Sequence, residues 1–92
     1  MAYHVYILTN DRRTLYTGVT SNLAARLEQH LLGGGSNFAR QHGTNQLVFA
    51  EEAPTRMEIV EREKQIKRWG RGKKIALIET INPSWSDLTY LV

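Results

Sequence analysis

The chain has no cysteine and no long apolar run, and each absence excludes a class of protein. Without cysteine among its 92 residues, it can form neither disulfides nor thiolate zinc sites, and it has no cysteine nucleophile. No apolar run approaches the roughly 20 residues of a membrane-spanning helix. The segment Met1–His4 lacks the charged and apolar regions of a secretory signal. We therefore expect a cytoplasmic protein that does not contact a membrane.

The length and composition indicate one small globular unit. Ninety-two residues, 41% of them hydrophobic and 23% charged, can bury a modest core and leave little room for a second folding unit. We expect a single domain over residues 1–92.

The positive charge is concentrated in one part of the chain. The formal net charge is +3, but the basic residues crowd into residues 62–74: Arg62, Lys64, Lys67, Arg68, Arg71, Lys73 and Lys74. Such a cluster predicts a face that binds phosphates, with a solvated helix exterior as the alternative. Arg40, in a short helical turn predicted over residues 37–42, is a further candidate for contact with a nucleic-acid backbone, and an ordinary surface loop is an equal alternative.

The first twenty residues predict a β-hairpin that carries two tyrosines. Residues 4–9 and 15–19 alternate with the period of two of a β-strand, and residues 10–14 between them are rich in turn formers. Tyr6 lies on one face of the first strand, and Tyr16 shares a face with Gly18 on the second. The two phenols can then lie on adjacent strands.

A helix is predicted directly after the hairpin. Leucines recur every fourth residue from Leu23 to Leu31, and residues 20–22 are all suitable N-caps. At 3.6 residues per turn, Arg26 and His30 lie side by side next to the leucine stripe. Both tyrosines, Arg26 and His30 could therefore converge.

The second half of the chain predicts a third strand and two more helices. The strand covers residues 46–53, and Thr55 and Glu58 form a capping box that opens a helix running to about Trp69 or Gly70. Residues 70–72 interrupt it before another helix begins. The fold class is α+β, with a three-stranded antiparallel sheet flanked by helices.

Glu63 lies within the apolar stripe of that helix. It follows Ile59 by four residues and precedes Ile66 by three, which places its carboxylate on the buried side. A buried carboxylate without a partner is costly, so Glu63 requires an arginine, a hydrogen-bond network or a metal ion. An ion pair with Arg26 or another arginine is the structural alternative to a metal site.

These features resemble the GIY-YIG nuclease domain, and in particular its small stand-alone bacterial members and the N-terminal nuclease domain of the bacterial excision-repair nuclease. The two defining triplets stand here as His4-Val5-Tyr6 and Tyr16-Thr17-Gly18. The similarity continues through Arg26-x-x-x-His30, residues 62–67 and the closing stretch 82–88. The asparagine that many members carry after the glutamate helix has no clear match between residues 69 and 81.

The resemblance implies a metal-dependent endonuclease that hydrolyses DNA phosphodiester bonds. Tyr6 or Tyr16 would help to activate the nucleophile, and Arg26 would bind the scissile phosphate. His30 would assist proton transfer, and Glu63 would hold one Mg²⁺ or Mn²⁺ ion. Because a phenol is a poor base at its ordinary pKa, we expect Arg26, the ion or His30 to lower the pKa of the active tyrosine.

Two other functions are compatible with the same sequence. One is a non-catalytic module that binds nucleic acid, and the other is an interaction domain that depends on a protein partner for specificity. The enzyme interpretation requires that Tyr6, Tyr16, Arg26, His30 and Glu63 border one concave surface.

Overall fold

The computed structural model describes residues 2–31 and 43–92. Its centre is an antiparallel sheet of β1 (Tyr3–Thr9), β2 (Leu15–Thr20) and β3 (Gln46–Ala53), in the order β2-β1-β3. Strand β1 is therefore central, and β2 is an edge strand. The α+β prediction and the bounds of the third strand are confirmed.

The turn of the hairpin is organised by one asparagine. The side-chain oxygen of Asn10 accepts hydrogen bonds from the backbone amides of Arg12 at 2.9 Å and Thr14 at 3.0 Å. Arg13, between those two residues, adopts a left-handed conformation with φ of 59°. Asparagine is favoured in turns because its short side chain can bond the backbone a few residues on.

The described residues include three α-helices, α1 (Leu23–Leu31), α2 (Arg56–Arg68) and α3 (Arg71–Ile81), and a 3₁₀ turn over Leu88–Leu91. None of these helices combines the length and apolar character needed to cross a bilayer.

Side chains cap the first two helices as the sequence predicted. The Asn22 side-chain oxygen accepts from the Ala25 amide at 3.1 Å. The Thr55 hydroxyl oxygen accepts from the Glu58 amide at 3.2 Å, and the hydroxyl donates to the Glu58 carboxylate at 3.0 Å. Each cap satisfies a backbone donor that has no partner within its helix.

The interruption after α2 is shorter than predicted. Gly70 is the N-cap of α3, and Gly72 lies inside that helix. The cost of glycine in a helix is only about 1 kcal/mol, so the packing of the helix outweighs it. Ile78 of α3 is fully buried.

Both faces of the sheet are covered. On one face Val5 and Ile7 pack against apolar residues of α2 and α3, namely Ile59, Ile66 and Ile78. On the other face Tyr6 and Leu8 pack against Leu23 and Leu27 of α1. The alternation of β1 therefore directs its side chains into two cores, and α1 and α2 lie on opposite faces.

The segment after α3 is fastened to β3 through Asn82. Its side-chain amide donates to the carbonyls of Val48 at 3.1 Å and Ser86 at 2.9 Å, and its oxygen accepts from the Ser86 amide at 3.0 Å. Asp87 accepts from the Leu47 amide at 3.2 Å. These bonds pair backbone groups at an irregularity in the β1-β3 register.

Aromatic residues of this segment differ in their packing. Trp85 packs against the core. Tyr90 is 77% exposed and does not anchor the segment. It lies in the 3₁₀ turn, whose residues include none that is buried.

Candidate active site

Tyr6, Tyr16 and His30 form a cluster of three rings between the hairpin and α1. The ring centroids are 6.2 Å apart for Tyr6 and Tyr16, 5.5 Å for Tyr16 and His30, and 6.2 Å for Tyr6 and His30. The Tyr6 hydroxyl lies 3.5 Å from Nε2 of His30. Three groups that can exchange protons are thus in contact.

Gly18 makes the position of Tyr6 possible. Tyr6 and Gly18 are directly opposite each other in the β1-β2 pairing. A β-carbon on Gly18 would lie 2.6 Å from the Tyr6 hydroxyl oxygen and 3.2 Å from a ring carbon of Tyr16. No real β-carbon tolerates the first distance, so a side chain at residue 18 would displace the Tyr6 ring. The structure gives a physical reason for the glycine of the second triplet.

Burial raises the pKa of Tyr6 above the ordinary value of 10.0, and Tyr16 raises it further. The positive charge of Arg26 opposes this shift without reversing it. The side chain is almost fully buried, with 1% of its surface exposed. Arg26 acts in the expected direction, but desolvation outweighs its attraction, so the pKa of Tyr6 remains above its ordinary value. Tyr6 is a neutral phenol at physiological pH.

The pKa of His30 is shifted in the opposite direction, downward. Burial lowers the pKa of its imidazole below the ordinary value of 6.5, and the nearby positive charge of Arg26 lowers it further. His30 is therefore neutral near pH 7 and can accept a proton. Its Nδ1 is buried and has no hydrogen-bond partner among residues 2–31 and 43–92.

Arg26 is half-buried on α1, one turn before His30. Its charge is among the causes of the pKa shifts of both Tyr6 and His30. This agrees with the predicted placement of Arg26 and His30 on one side of α1.

Glu63 approaches the cluster from the other layer of the fold. Near the start of α2, Arg56 and Val60 line a hollow of about 230 Å³ together with residues 19–21. Near its end, Lys67 lines a second hollow, of about 280 Å³, together with residues 15–17. Helix α2 therefore runs alongside β2, and Glu63 lies beside the middle of that strand.

Glu63 comes near the phenols at the edge of the sheet, although α2 packs on the opposite face. The α2 core residues pack on the face opposite Tyr6, so strand alternation alone would separate Glu63 from Tyr6. Yet the Glu63 charge contributes to the raised pKa of Tyr6, and Tyr16 lines the same hollow as Lys67 of α2. The common surface that the enzyme interpretation requires would be formed by two layers that meet at the free edge of β2.

The ion pair of Glu63 is with a lysine and not with an arginine. Its carboxylate lies 3.1 Å from Nζ of Lys67, one helical turn away, and the Glu63 side chain is 17% exposed. Among the described residues no three His, Asp or Glu side chains are grouped as a metal site.

The basic run is distributed over several surfaces. Lys67 and Lys74 lie beside Tyr16, whereas Arg68 lies with Glu58 and Glu61 on another side of α2. The remaining basic residues also differ in surroundings: Lys73 lies 4.6 Å from the Trp69 ring centre, Arg62 bonds Glu51 at 2.8 Å, Lys64 lies 3.8 Å from Glu61, and Arg71 is exposed.

Successive helical residues turn by about 100°, so the basic side chains of residues 62–74 point to different sides. That they bind phosphates stays a prediction. Arg40 and residues 37–42 lie outside the described residues. Arg56, which the sequence patterns did not single out, lies on the Glu63 side of α2. Its position seven residues before Glu63, two helical turns, is the signal that could have revealed it.

Comparison with known proteins identifies the family of the chain. The family model described as the GIY-YIG catalytic domain matches residues 2–76 of the chain. The chain belongs to the GIY-YIG family. All the candidate residues of the ring cluster, and Glu63, lie within the matched part.

Relatives of similar length carry the name UPF0213. A UPF0213 protein of Oceanobacillus iheyensis is 35% identical over 77 residues, which is 84% of this chain and 90% of that protein. A UPF0213 protein of Staphylococcus haemolyticus is 34% identical and covers 84% of this chain and 94% of its own length. The solution NMR structure of a UPF0213 protein from Bacillus halodurans has 30% identity and a TM-score of 0.63, covering 99% of this chain and 97% of that one. These names specify no reaction.

Proposed function

We propose that the protein is a metal-dependent endonuclease that hydrolyses DNA phosphodiester bonds at the free edge of β2. The observation that carries the proposal is the contact of Tyr6, Tyr16 and His30 beside Arg26, with the Glu63 carboxylate acting on the same phenol from the opposite layer. We place this activity in the cytoplasm.

Hydrolysis of a phosphodiester requires a base for the attacking water and positive charge on the phosphate. Arg26 supplies the charge. Its guanidinium can donate two parallel hydrogen bonds to phosphate oxygens. Burial and, after it, the charge of Arg26 lower the pKa of His30, so its imidazole stays neutral.

The burial of the two tyrosines suggests which of them contacts the water. Tyr6 is 1% exposed, so neither substrate nor bulk water reaches it directly. Tyr16 is only partly buried and lines an open hollow. Tyr16 is therefore our choice for the phenol that takes the proton of the attacking water.

Tyr6 then connects Tyr16 to His30. Its ring centroid lies 6.2 Å from that of Tyr16, and its hydroxyl lies 3.5 Å from Nε2 of His30. Tyr6 can accept a proton from Tyr16 while it donates its own to neutral His30, so that it never carries a charge. The raised pKa of Tyr6 suits this role, since it disfavours a lasting phenolate.

The donor atoms at Glu63 fit a hard divalent ion such as Mg²⁺ or Mn²⁺. A carboxylate oxygen is the ligand type that such ions prefer, and one carboxylate is sufficient when waters and substrate phosphate oxygens complete the shell. When bound, the ion would supply positive charge beside the leaving oxygen. Lys67 would have to leave the carboxylate, and its 55% exposed side chain is free to move into solvent.

A binding module without catalysis is the second candidate, and one observation favours it. Lys67 already neutralises Glu63. A nuclease fold whose chemistry is idle would show this feature. A protein partner that supplies specificity is compatible with either function.

A cleavage assay separates the two candidates. Wild type is incubated with duplex, single-stranded and branched DNA in Mg²⁺, in Mn²⁺ and in EDTA. Arg26→Ala is compared with Arg68→Ala. The second variant removes the same charge from the side of α2 on which Glu58 and Glu61 lie. We expect cleavage by the wild type and by Arg68→Ala, and none by Arg26→Ala or in EDTA. DNA binding without cleavage of any substrate would favour the binding module.

A further inference from the structure

Two hollows flank Glu63 along β2, and each contains a basic residue. Arg56 lines the hollow beside residues 19–21, and Lys74 lines the one beside residues 15–17. Among residues 2–31 and 43–92, neither side chain is part of an ion pair. Both charges are therefore available to a ligand.

Other polar residues of these hollows suit a phosphate backbone. Ser21 adds a hydroxyl group to the Arg56 hollow, where the Thr20 hydroxyl is bonded to the Asn22 backbone. Tyr16 and Thr17 add theirs to the Lys74 hollow, which Lys67 also lines. The described lining of both hollows contains no acidic residue. Hydroxyls and basic groups together are typical of contacts to phosphate oxygens.

We propose that the outer edge of β2, between Arg56 and Lys74, is the surface along which one strand of the DNA backbone lies. We call it the β2 edge surface. The proposal rests on the nuclease function above and assigns its substrate contacts. The scissile phosphate lies at the centre, beside Arg26 and Glu63, and Arg56 and Lys74 bind phosphates on its two sides.

The length of the strand agrees with this arrangement. A strand of six residues is about 17 to 20 Å long. One DNA strand carries a phosphate about every 3.4 Å along the helix axis. The β2 edge surface is thus long enough for the scissile phosphate and neighbours on both sides.

The same geometry excludes other members of the basic run from this surface. Arg68 lies in a hollow with Glu58 and Glu61, whose negative charges repel phosphates. Lys73 lies over the Trp69 ring, on which Arg62 also packs at 5.3 Å. Arg68 and Lys73 are therefore controls that match Arg56 and Lys74 in residue type.

The test compares the salt dependence of DNA binding in two double variants. Arg56→Gln/Lys74→Gln and Arg68→Gln/Lys73→Gln both lower the formal charge from +3 by two. Binding of a fluorescent duplex is followed by anisotropy in EDTA, so that no cleavage occurs, at several NaCl concentrations. Circular dichroism confirms that both variants are folded.

Each phosphate contact contributes about 0.9 to the slope of log K against log salt for duplex DNA. We expect the Arg56/Lys74 variant to lose about 1.8 from the wild-type slope and the Arg68/Lys73 variant to lose little. Equal losses in both variants would mean diffuse attraction and would overturn the proposal. A larger loss in the Arg68/Lys73 variant, or no binding by the wild type, would also overturn it.

A parallel cleavage assay of the wild type in Mg²⁺ keeps the two proposals separate. Loss of slope only in the Arg56/Lys74 variant, with no cleavage by the wild type, supports the β2 edge surface and overturns the nuclease. Cleavage by the wild type, with equal slopes in both variants, supports the nuclease and overturns the β2 edge surface.

Discussion

The hydroxyl of Tyr6 occupies the space that a side chain on Gly18 would need. The two residues are paired across β1 and β2, and the β-carbon position of Gly18 is 2.6 Å from the Tyr6 hydroxyl oxygen. The absence of one methyl group therefore lets the buried phenol lie across the edge strand, close to Tyr16 and His30. The ring cluster depends on this glycine as much as on its own residues.

Gly18→Ala should lower both stability and cleavage. The new methyl group forces the Tyr6 ring out of its position, and overpacking of this kind costs about 1–3 kcal/mol. Gly72→Ala is the matched control, since nothing lies within 4 Å of its β-carbon position and alanine in a helix is more stable than glycine by up to about 1 kcal/mol. Chemical denaturation measures the free energy of unfolding of both variants. Equal stability of the two variants would show that Tyr6 adjusts without cost.

Glu63→Gln should remove cleavage and leave DNA binding unchanged or tighter. The change keeps the shape of the side chain and removes the charge that would hold the ion. Because its partner Lys67 is 55% exposed, the stability should change by no more than about 1 kcal/mol. Glu61→Gln, whose pair with Lys64 is 3.8 Å long, is the control and should retain full activity. A large drop in melting temperature for Glu63→Gln, with unchanged cleavage, would indicate a purely structural role.

Arg26→Gln should raise the pKa of His30. The guanidinium charge is the second cause of the lowered value, after burial, so its removal should shift the pKa upward while leaving it below 6.5. An NMR titration of the imidazole protons measures this shift, with His30→Gln to assign the signal. An unchanged pKa would mean that Arg26 does not lie beside the ring and would remove the basis for its role in the site.

The stability of the protein should fall as the pH is lowered below about 6.5, the ordinary pKa of histidine. The pKa of His30 is lower in the folded state than in the unfolded state, so the unfolded chain binds more protons below that pH. The contribution of His30 to stability is fully present above the pKa of the unfolded state. It is lost as the pH falls toward the pKa of the folded state. Free energies of unfolding between about pH 5 and 8 should show this loss for the wild type and less of it for His30→Gln. Parallel curves of stability against pH for the wild type and His30→Gln would show that His30 does not cause the loss.

Asn82→Ala should destabilise the fold without a specific effect on the site. Asn82 is 4% exposed, and its removal leaves the buried carbonyl of Val48 without its side-chain partner. An unsatisfied buried group costs about 1–3 kcal/mol. Asn45→Ala, at an exposed residue, should change the melting temperature little. Similar melting temperatures for the two variants would show that water replaces the lost bonds.

Local patterns were sufficient to predict most of the secondary structure and part of the site. The caps at Asn22 and Thr55 and the alternation in the hairpin depend on residues a few positions apart, and backbone geometry turns such spacings into structure wherever they occur. The approach of Arg26 to His30 follows in the same way from the helical repeat. The resemblance to the GIY-YIG domain supplied the roles that we propose for these residues, which spacing alone does not provide.

The sequence by itself therefore determined the strands, the helices and the side-chain spacing along each of them, because these are short-range properties of the chain. Only the tertiary structure decided that α2 covers the face opposite Tyr6, and that Glu63 and Arg56 lie along the edge of β2 while Arg68 does not. It also decided that the pKa of Tyr6 is raised. These are consequences of burial and of charges brought together from distant parts of the chain, and no local spacing encodes them.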